Sequence, residues 1–431
     1  MCHIRAKHFF TLISFIFTGI AATAQTSSVS NPTSNRKNEP YSRYGIGELV
    51  NGNNTVIKGM GNISSAFSSP YQVNTDNPAS YAGLLLTTYE GGMQGSLSTV
   101  TANQVSSRTG MATLSYLTIG FPLGKHAGMA LGLRPQSHVY YHLNDTVGTP
   151  GIGQTINTYY GDGALNYAFA GFAGKVKGFS LGVNFGYSFG TIRNTSVFSN
   201  IDTTHAVNTD ISQFTRVGGI YWKAGLQYEH KLDTNLSFRI GGTFTLSQDL
   251  RAFRDQYWLT YFNLGGSLQE DTAYTLTGTK GTLKLPMSYS IGAQLMNGDK
   301  WSAGLDFSAV QWSQFRNFGM VDSVTNSYRM GLGGAYTPNP LSIHNYLQRI
   351  TYRLGAYYGK DHVYIKGTDI NYYALTFGFS LPFKRYSDRI HTAFEIGKRG
   401  TEANGLVKEN FFKMSLGISL NDKWFIKRRY D

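Results

Sequence analysis

Residues 181–190 read Leu181-Gly182-Val183-Asn184-Phe185-Gly186-Tyr187-Ser188-Phe189-Gly190: every odd position is apolar or aromatic, and every even one is small or polar. Successive side chains of a β-strand point to opposite faces, so this period of two predicts a strand with one greasy face and one face of small polar groups. The same rule separates Phe238, Ile240, Phe244 and Leu246 from Arg239, Thr243, Thr245 and Ser247, and Tyr373, Leu375, Phe377, Phe379 and Leu381 from Ala374, Thr376, Gly378 and Ser380. It returns near the end, where Phe412, Met414, Leu416, Ile418 and Leu420 alternate with Lys413, Ser415, Gly417 and Ser419. A soluble sandwich alternates as well, but it solvates its outer face with lysine and glutamate; these polar faces are mostly Gly, Ser and Thr. The apolar faces are therefore expected to meet lipid.

Outward from that stretch, turn signals such as Asn297-Gly298-Asp299 and Asn421-Asp422 divide Leu84 to Leu420 into about fourteen candidate strands, an even number that suits a single-chain barrel. Side chains fill a barrel of about eight strands, whereas sixteen to eighteen leave an open aqueous channel. At about fourteen, something other than wall side chains occupies the lumen. The glycine-, serine- and asparagine-rich segment 41–83, in which neither a helical nor a strand period holds, is the expected plug. The fold class predicted is all-β: a transmembrane antiparallel barrel of about fourteen strands over 84–420 with an N-terminal hatch at 41–83.

The flanks fit an exported chain. His3, Arg5, Lys7 and His8 precede the apolar run Phe9 to Ile20, and Ala22-Thr23-Ala24 supplies a small-residue cleavage site before Gln25, so 1–24 reads as a cleaved signal peptide. A run of about 12 residues is too short to cross roughly 30 Å of hydrocarbon as a helix. Residues 25–40 read as a flexible polar tail with Arg36 and Lys37, and 421–431 as a basic tail carrying Lys423, Lys427, Arg428 and Arg429. The expected location is the cell outer membrane.

Composition narrows the chemistry. Charged residues make up only 15% against about 25% in soluble domains, while 50 of 431 residues are glycine and 14% are aromatic. The formal charge of +13 falls to +11 when Arg5 and Lys7 leave with the signal, and the remaining cations are scattered, which suits lipid phosphate or a lumen lining and not nucleic acid. Cys2 is the sole cysteine and lies inside the signal, so the mature chain has no thiol for a disulfide, a metal site or a nucleophile. His138 and His142, with Arg134 nearby, share one strand face about 13 Å apart, too far for one metal. Asp306 and Glu395 fall on polar strand faces, where a lumen carboxylate is in a position to meet Arg239. Gly331-Leu332-Gly333-Gly334 lies within a strand pattern, so it is no phosphate loop. No catalytic residue, metal or cofactor is expected, and the chain reads as a non-enzyme; a barrel hydrolase would need a Ser–His pair on the outer rim.

Several stretches carry a family likeness. Gly59-Met60-Gly61, Ala66-Phe67 and Asp76-Asn77-Pro78-Ala79-Ser80 resemble the hatch of the FadL/TodX family of outer-membrane transporters for fatty acids and aromatic hydrocarbons. Leu285-Pro286 with Ser288 to Gly292, the run Trp301 to Phe307, Trp312-Ser313, and Tyr328 to Gly333 with Tyr336-Thr337-Pro338 look like consecutive strands of that family. The likeness covers the hatch and the second half of the barrel; the end, Trp424-Phe425-Ile426 followed by a basic tail, departs from a terminal aromatic. It implies passive uptake of a hydrophobic small molecule by a monomeric barrel in contact with outer-membrane lipid. The hatch residues carried over are Gly59, Met60, Gly61, Phe67, Asn77, Pro78 and Ala79. In the family an inward kink of the third strand opens the wall sideways. Here that strand is expected over Ala127 to Leu143, where Gly132 and Pro135 form the expected lateral gate, or Pro135 lies in a loop beyond the membrane. Related barrels also serve as docking shuttles in protein-secretion systems, and a secretion-system partner stays open as the alternative. An apolar lumen would favour transport, an entirely polar one docking.

Overall fold

The computed structural model describes residues 38–149, 153–200, 207–264, 267–342, 344–383 and 387–424. The expected signal peptide, the tail as far as residue 37 and the last seven residues lie outside them. Fourteen antiparallel strands close into a barrel. In chain order they are β1 Thr87–Ala102, β2 Val105–Pro122, β3 Ala127–Thr149, β4 Gly153–Val176, β5 Phe179–Asn200 and β6 Asn208–Lys231. β7 runs in two segments, Leu236–Thr245 and Gln248–Leu264, and β8 returns in two, Ser267–Leu285 and Ser288–Asn297. β9 Trp301–Val310, β10 Ser327–Tyr336, β11 Thr351–Ile365, β12 Thr368–Pro382, β13 Arg389–Gly400 and β14 Lys408–Asp422 complete the wall. β14 pairs with β1 from Lys408↔Thr101 to Asp422↔Thr87, which joins the last strand to the first. No helix among the described residues is long and apolar enough to cross a membrane.

The alternation of the sequence becomes the two faces of the wall. Leu181, Val183, Phe185, Tyr187 and Phe189 of β5 are exposed, as are Leu354 of β11, Leu375 of β12 and Ile396 of β13, while Asn184, Ser188, Thr376 and Ser380 are buried inward. About 9–11 tilted residues cross a bilayer as a strand. β9 and β10 have 10 each, whereas β3, β4 and β6 have 23, 24 and 24, so one side of the barrel stands well above the membrane-crossing band. Two expectations shift at the ends: β3 continues past Leu143 to Thr149, and β14 continues into the expected basic tail as far as Asp422. Beyond it, Trp424 rests its ring 5.6 Å from both Tyr89 and Phe121, an aromatic anchor at the end where the chain leaves the barrel.

Residues 38–86 lie inside the ring of strands, with short helical turns at Pro40–Arg43, Thr55–Lys58 and Pro78–Gly83. The tail does not stay loose up to Pro40: Asn38 Nδ2 donates to the His142 carbonyl at 2.7 Å and its Oδ1 accepts from the His142 amide at 2.9 Å. The wall accommodates the hatch through glycine. A Cβ on Gly128 would lie 2.0 Å from the Tyr81 carbonyl oxygen, on Gly241 1.9 Å from that of Ser65, on Gly333 2.3 Å from that of Met60, and on Gly355 2.3 Å from the Gly61 amide. Wall backbone and hatch backbone thus touch where a larger residue would hold them apart. Gly241→Val is expected to weaken seating of the hatch by about 1–3 kcal/mol, read as faster proteolysis of 38–86 with the barrel band intact on a gel.

Candidate functional site

The hatch is held by polar bonds reaching from inward strand positions. Asn54 caps the Thr55–Lys58 turn by accepting from the Ile57 amide at 3.0 Å, and Asn77 caps the Pro78–Gly83 turn by accepting from the Ala79 amide at 3.1 Å. The Asn77 amide group also donates to the Ser65 carbonyl at 2.6 Å and, across to the wall, to those of Leu226 and Gly242 at 3.3 and 3.4 Å. Pro78 opens its turn at the first position, where a missing amide proton costs nothing, and Ala79 is buried beside it. Gly59 ends the first turn, Met60 is buried in an apolar cluster with Ile57 and Phe67, and the Gly61 amide, at φ +66°, donates to Thr376 Oγ1 at 2.8 Å.

The three lumen charges take separate partners. Asp306 Oδ2 accepts from the Ser64 and Ser65 amides at 3.2 and 2.7 Å; Glu395 accepts from the Tyr357 hydroxyl at 2.8 Å. Arg239 pairs with Glu229 at 2.8 Å, not with either of those carboxylates, and donates to the Ala66 and Ser68 carbonyls. Further fasteners, not apparent from the sequence, are these: Lys223 meets Asp76 at 2.5 Å, Gln227 donates to the Ser65 and Phe67 carbonyls, and Asn184 accepts from the Tyr81 hydroxyl at 2.9 Å while donating to the Thr75 carbonyl. Asn184 had a signal. It is the one inward residue of the quoted stretch long enough to cross to a plug.

The wall is unzipped between β2 and β3. β2 and β3 pair only from Leu117↔Leu133 to Pro122↔Gly128, whereas β3 pairs with β4 along its whole length apart from one extra residue, Gln136, between Pro135↔Asn166 and Ser137↔Leu165. Proline has no amide proton to give the ladder, and the seam opens next to it. Pro135 thus lies within the strand and not in a loop, and Gly132 is among the last β3 residues still paired with β2. Past this point the abandoned edge of β3 is taken up by the N-terminal segment. Glu48 and Leu49 pair with His138 and Ser137, the Val50 amide donates to the Gln136 carbonyl at 2.9 Å, and the Glu39 amide donates to that of Tyr140 at 2.9 Å. The segment then reaches the opposite wall, where Glu48 pairs with Arg399 and the Tyr41 hydroxyl donates to the Val407 carbonyl at 2.5 Å.

Between hatch, segment and wall lies a cavity of about 400 Å³ that touches both lips of the seam: Met111 and Thr113 on β2, and Arg134, Gln136 and His138 on β3. Its lining is mixed. Ile46, Leu285, Val310 and Trp312 form an apolar side, while the cations Lys58, Arg134, Lys223, Arg329, Lys360, Arg399 and Lys413 outnumber the anions Glu48, Asp76, Asp361 and Glu395. His138 lies 3.7 Å from Glu39, whereas His142 meets the Tyr160 ring edge-on, so the two histidines serve different neighbours. Among the described residues no three His, Cys, Asp or Glu side chains come together as a metal site. A Ser–His contact does exist, Ser380 Oγ to His391 Nδ1 at 2.5 Å, but both side chains are buried in the lumen, away from any outer rim.

Two hatch groups make seating of the plug strengthen with rising pH, in two separate windows. Burial would raise the Asp76 pKa, but the ammonium of Lys223 and the guanidinium of Arg134 outweigh it and hold the carboxyl well below its usual range. Its contribution is present above the ordinary carboxylate value and is lost as pH falls through the depressed one. Burial pushes the Lys58 ammonium down to about 8, against the pull of Glu395. Between about 8 and the ordinary 10.5 the released hatch binds the extra proton, so seating strengthens as pH rises through that window. Hydrogen exchange of 50–83 is expected to slow from pH 8 to 10.5, after correction for intrinsic rate, and Lys58→Met should remove the trend. Asn77→Ala leaves buried carbonyls unmet and should cost the hatch about 1–3 kcal/mol, read as faster exchange of 62–80 at constant pH.

No curated protein matches the chain. Among solved structures, the CymD monoaromatic hydrocarbon channel superposes with a TM-score of 0.52 at 14% identity, covering 87% of this chain and 98% of that one. A Pseudomonas aeruginosa FadL homologue gives 0.54 at 12%, covering 86% and 98%, and the P. putida toluene transporter TodX gives 0.53 at 14%, covering 85% and 98%. At such identities the likeness is one of fold, and it spans nearly the whole of each barrel. The family model that matches is BamG, over residues 6–431. The chain, a hatch-plugged outer-membrane-type barrel similar in fold to the FadL and TodX channels, belongs to the BamG family.

Proposed function

We propose that the protein is a passive outer-membrane channel for a hydrophobic small molecule, which leaves the cavity sideways through the seam between β2 and β3. The observation that carries this reading is the seam itself: a closed barrel in hydrocarbon has every reason to pair all its edges, and among the described residues no strand pairs with β2 on that side over 105–116. A cavity reaches both lips, and Leu114 and Leu117 stand exposed on the outside of the same strand. A water-filled pore holds an apolar molecule poorly, so an exit into the bilayer is what such cargo requires. The lining selects within that class. An apolar side next to an excess of cations fits a fatty-acid-like amphiphile, tail on the first and carboxylate on the second, better than a bare aromatic hydrocarbon. In this reading Gly132 and Pro135 form the hinge of the gate, and the segment 38–50 is its inner latch.

A docking role in a protein-secretion system has one observation in its favour. From Glu270 to Thr282 the first segment of β8 bonds β7 on one side and no strand on the other among the described residues, which leaves an exposed edge above the short β9 and β10. Free edges accept added strands.

Uptake of labelled oleate by cells that lack their own long-chain fatty-acid channel separates these readings. The wild-type barrel is expected to restore uptake, and deletion of Gln136, which removes the extra β3 residue and lets the seam rezip, should return it to background while the barrel stays heat-modifiable on gels. Uptake unchanged by the deletion rules out the lateral route; no uptake by the wild type rules out transport and leaves docking.

A further inference from the structure

On the side of the hatch away from the large cavity, a second cavity of about 160 Å³ lies between Phe67–Gln72 and the near ends of β8 to β13. Its lining includes two buried arginines, Arg353 of β11 and Arg389 of β13, each 8% exposed, and Lys300 from the 298–300 turn. Arg353 Nη1 donates to a neutral hydroxyl, Ser380 Oγ, at 2.5 Å, and one bond of Arg389 runs from Nη1 to Thr351 Oγ1, which meets Thr337 Oγ1, both at 2.8 Å. Arg353 Nε is buried with no hydrogen-bond partner, and no carboxylate of the described residues lies within ion-pair distance of this guanidinium. Following its bonds, the next carboxylate is Glu90, reached only through Ser380, His391 and Ser419. Asp299, the one carboxylate of the lining, sits on the exposed turn.

A guanidinium taken out of water without a countercharge is among the costliest groups a protein can bury. Two other buried arginines of the lumen are met by charge and carbonyls: Arg399 has Glu48 and Asp361, and Arg239 has Glu229 and two hatch carbonyls. Arg353 has a cavity instead. We propose that this cavity is an oxyanion site, with Arg353 and Arg389 supplying the charge, Thr337 and Thr351 supplying hydroxyls, and Lys300 at the mouth. The guanidinium fork matches phosphate or carboxylate geometry. The volume is well below the roughly 300 Å³ of pockets that hold drug-sized ligands, so the occupant is a small group: a free phosphate, or the phosphate of a lipid headgroup inserted from the adjacent membrane face. The site stands apart from the seam and does not depend on what crosses it.

The test is thermal unfolding of the full barrel in neutral detergent, with inorganic phosphate and with a short-chain phosphatidic acid, against chloride at matched ionic strength. A saturable rise in Tm is expected with one or both probes. A rise with inorganic phosphate identifies a free-ion site; a rise with phosphatidic acid alone identifies a headgroup site. Arg353→Met should abolish the rise and, having removed an unpaired buried charge, melt no lower than the wild type without ligand. Lys300→Ala, on an exposed turn, should shift the midpoint to higher probe concentration with the fold untouched, and it carries the test should Arg353→Met not fold. No rise with either probe, or a rise of equal size in both variants, overturns the proposal.

Discussion

In hydrocarbon a backbone amide or carbonyl has no water to bond, so every one must find a partner in the chain. That constraint orders this structure. It forces the strands into a ring closed by β14 against β1, and it explains the behaviour of the seam between β2 and β3, where the ring is not zipped. There the edge that β3 withdraws from β2 is not left bare: the amides of Glu39 and Val50, the carbonyl of Ile46 and the side chains of Asn38 and Ser42 meet it one after another. The N-terminal segment is in this sense a substitute strand, built mainly of side chains and turns instead of a continuous ladder. A seam can open in the wall because a neighbour inside the lumen assumes part of the bonding that the wall gave up.

The filling of the lumen follows a different physical logic from a soluble core. Apolar contacts gather in separate clusters, one around Leu165, Leu250, Leu283 and Trp312 and another of Val56, Ile57, Met60, Ile63 and Phe67. Most of the attachment is polar and directional: carboxylate to amide at Asp306, amide to carbonyl at Asn77 and Gln227, ammonium to carboxylate at Lys223 and Asp76. Each such bond is worth little net, but each is costly to break without water at hand. A hatch fastened this way is specific in position and responsive to charge. The glycines of the wall serve the same end by letting the two backbones approach within contact distance.

The sequence displays the wall more clearly than its contents. Alternation over 181–190 and 412–420 translates directly into lipid-facing and lumen-facing residues, because the period of a strand is local and lipid exposure is one-sided. Gly59 to Gly61 and Asn77 to Ala79 are expected in the hatch from a family likeness alone; the capping bond of Asn77 appears only in the structure. The pairing of charges was not: Arg239 lies within reach of Glu229, ten residues away across a hairpin, and a sequence gives no reason to prefer it over Asp306. Nor does it show that Arg353 and Arg389 converge, since that depends on the stagger of β11, β12 and β13. Pro135 illustrates the intermediate case. Its missing donor predicted a break in the ladder; whether that break fell in the wall or in a loop depended on how far β3 extends, and it extends six residues beyond the expected Leu143.

The stitching of Asn38–Val50 to β3 and to the far wall also constrains how the molecule can be made. Asn38 bonds a residue 104 positions later, and Tyr41 one 366 positions later, so the earliest described residues are among the last to find their partners. Contacts of such sequence separation are slow to form, because a long chain must be ordered before they reward it. The barrel therefore closes around a segment already present inside it. Closure of β14 on β1 and capture of the N-terminal segment become a single late event in assembly, and a chain that closed with that segment outside would have trapped itself in a wrong topology.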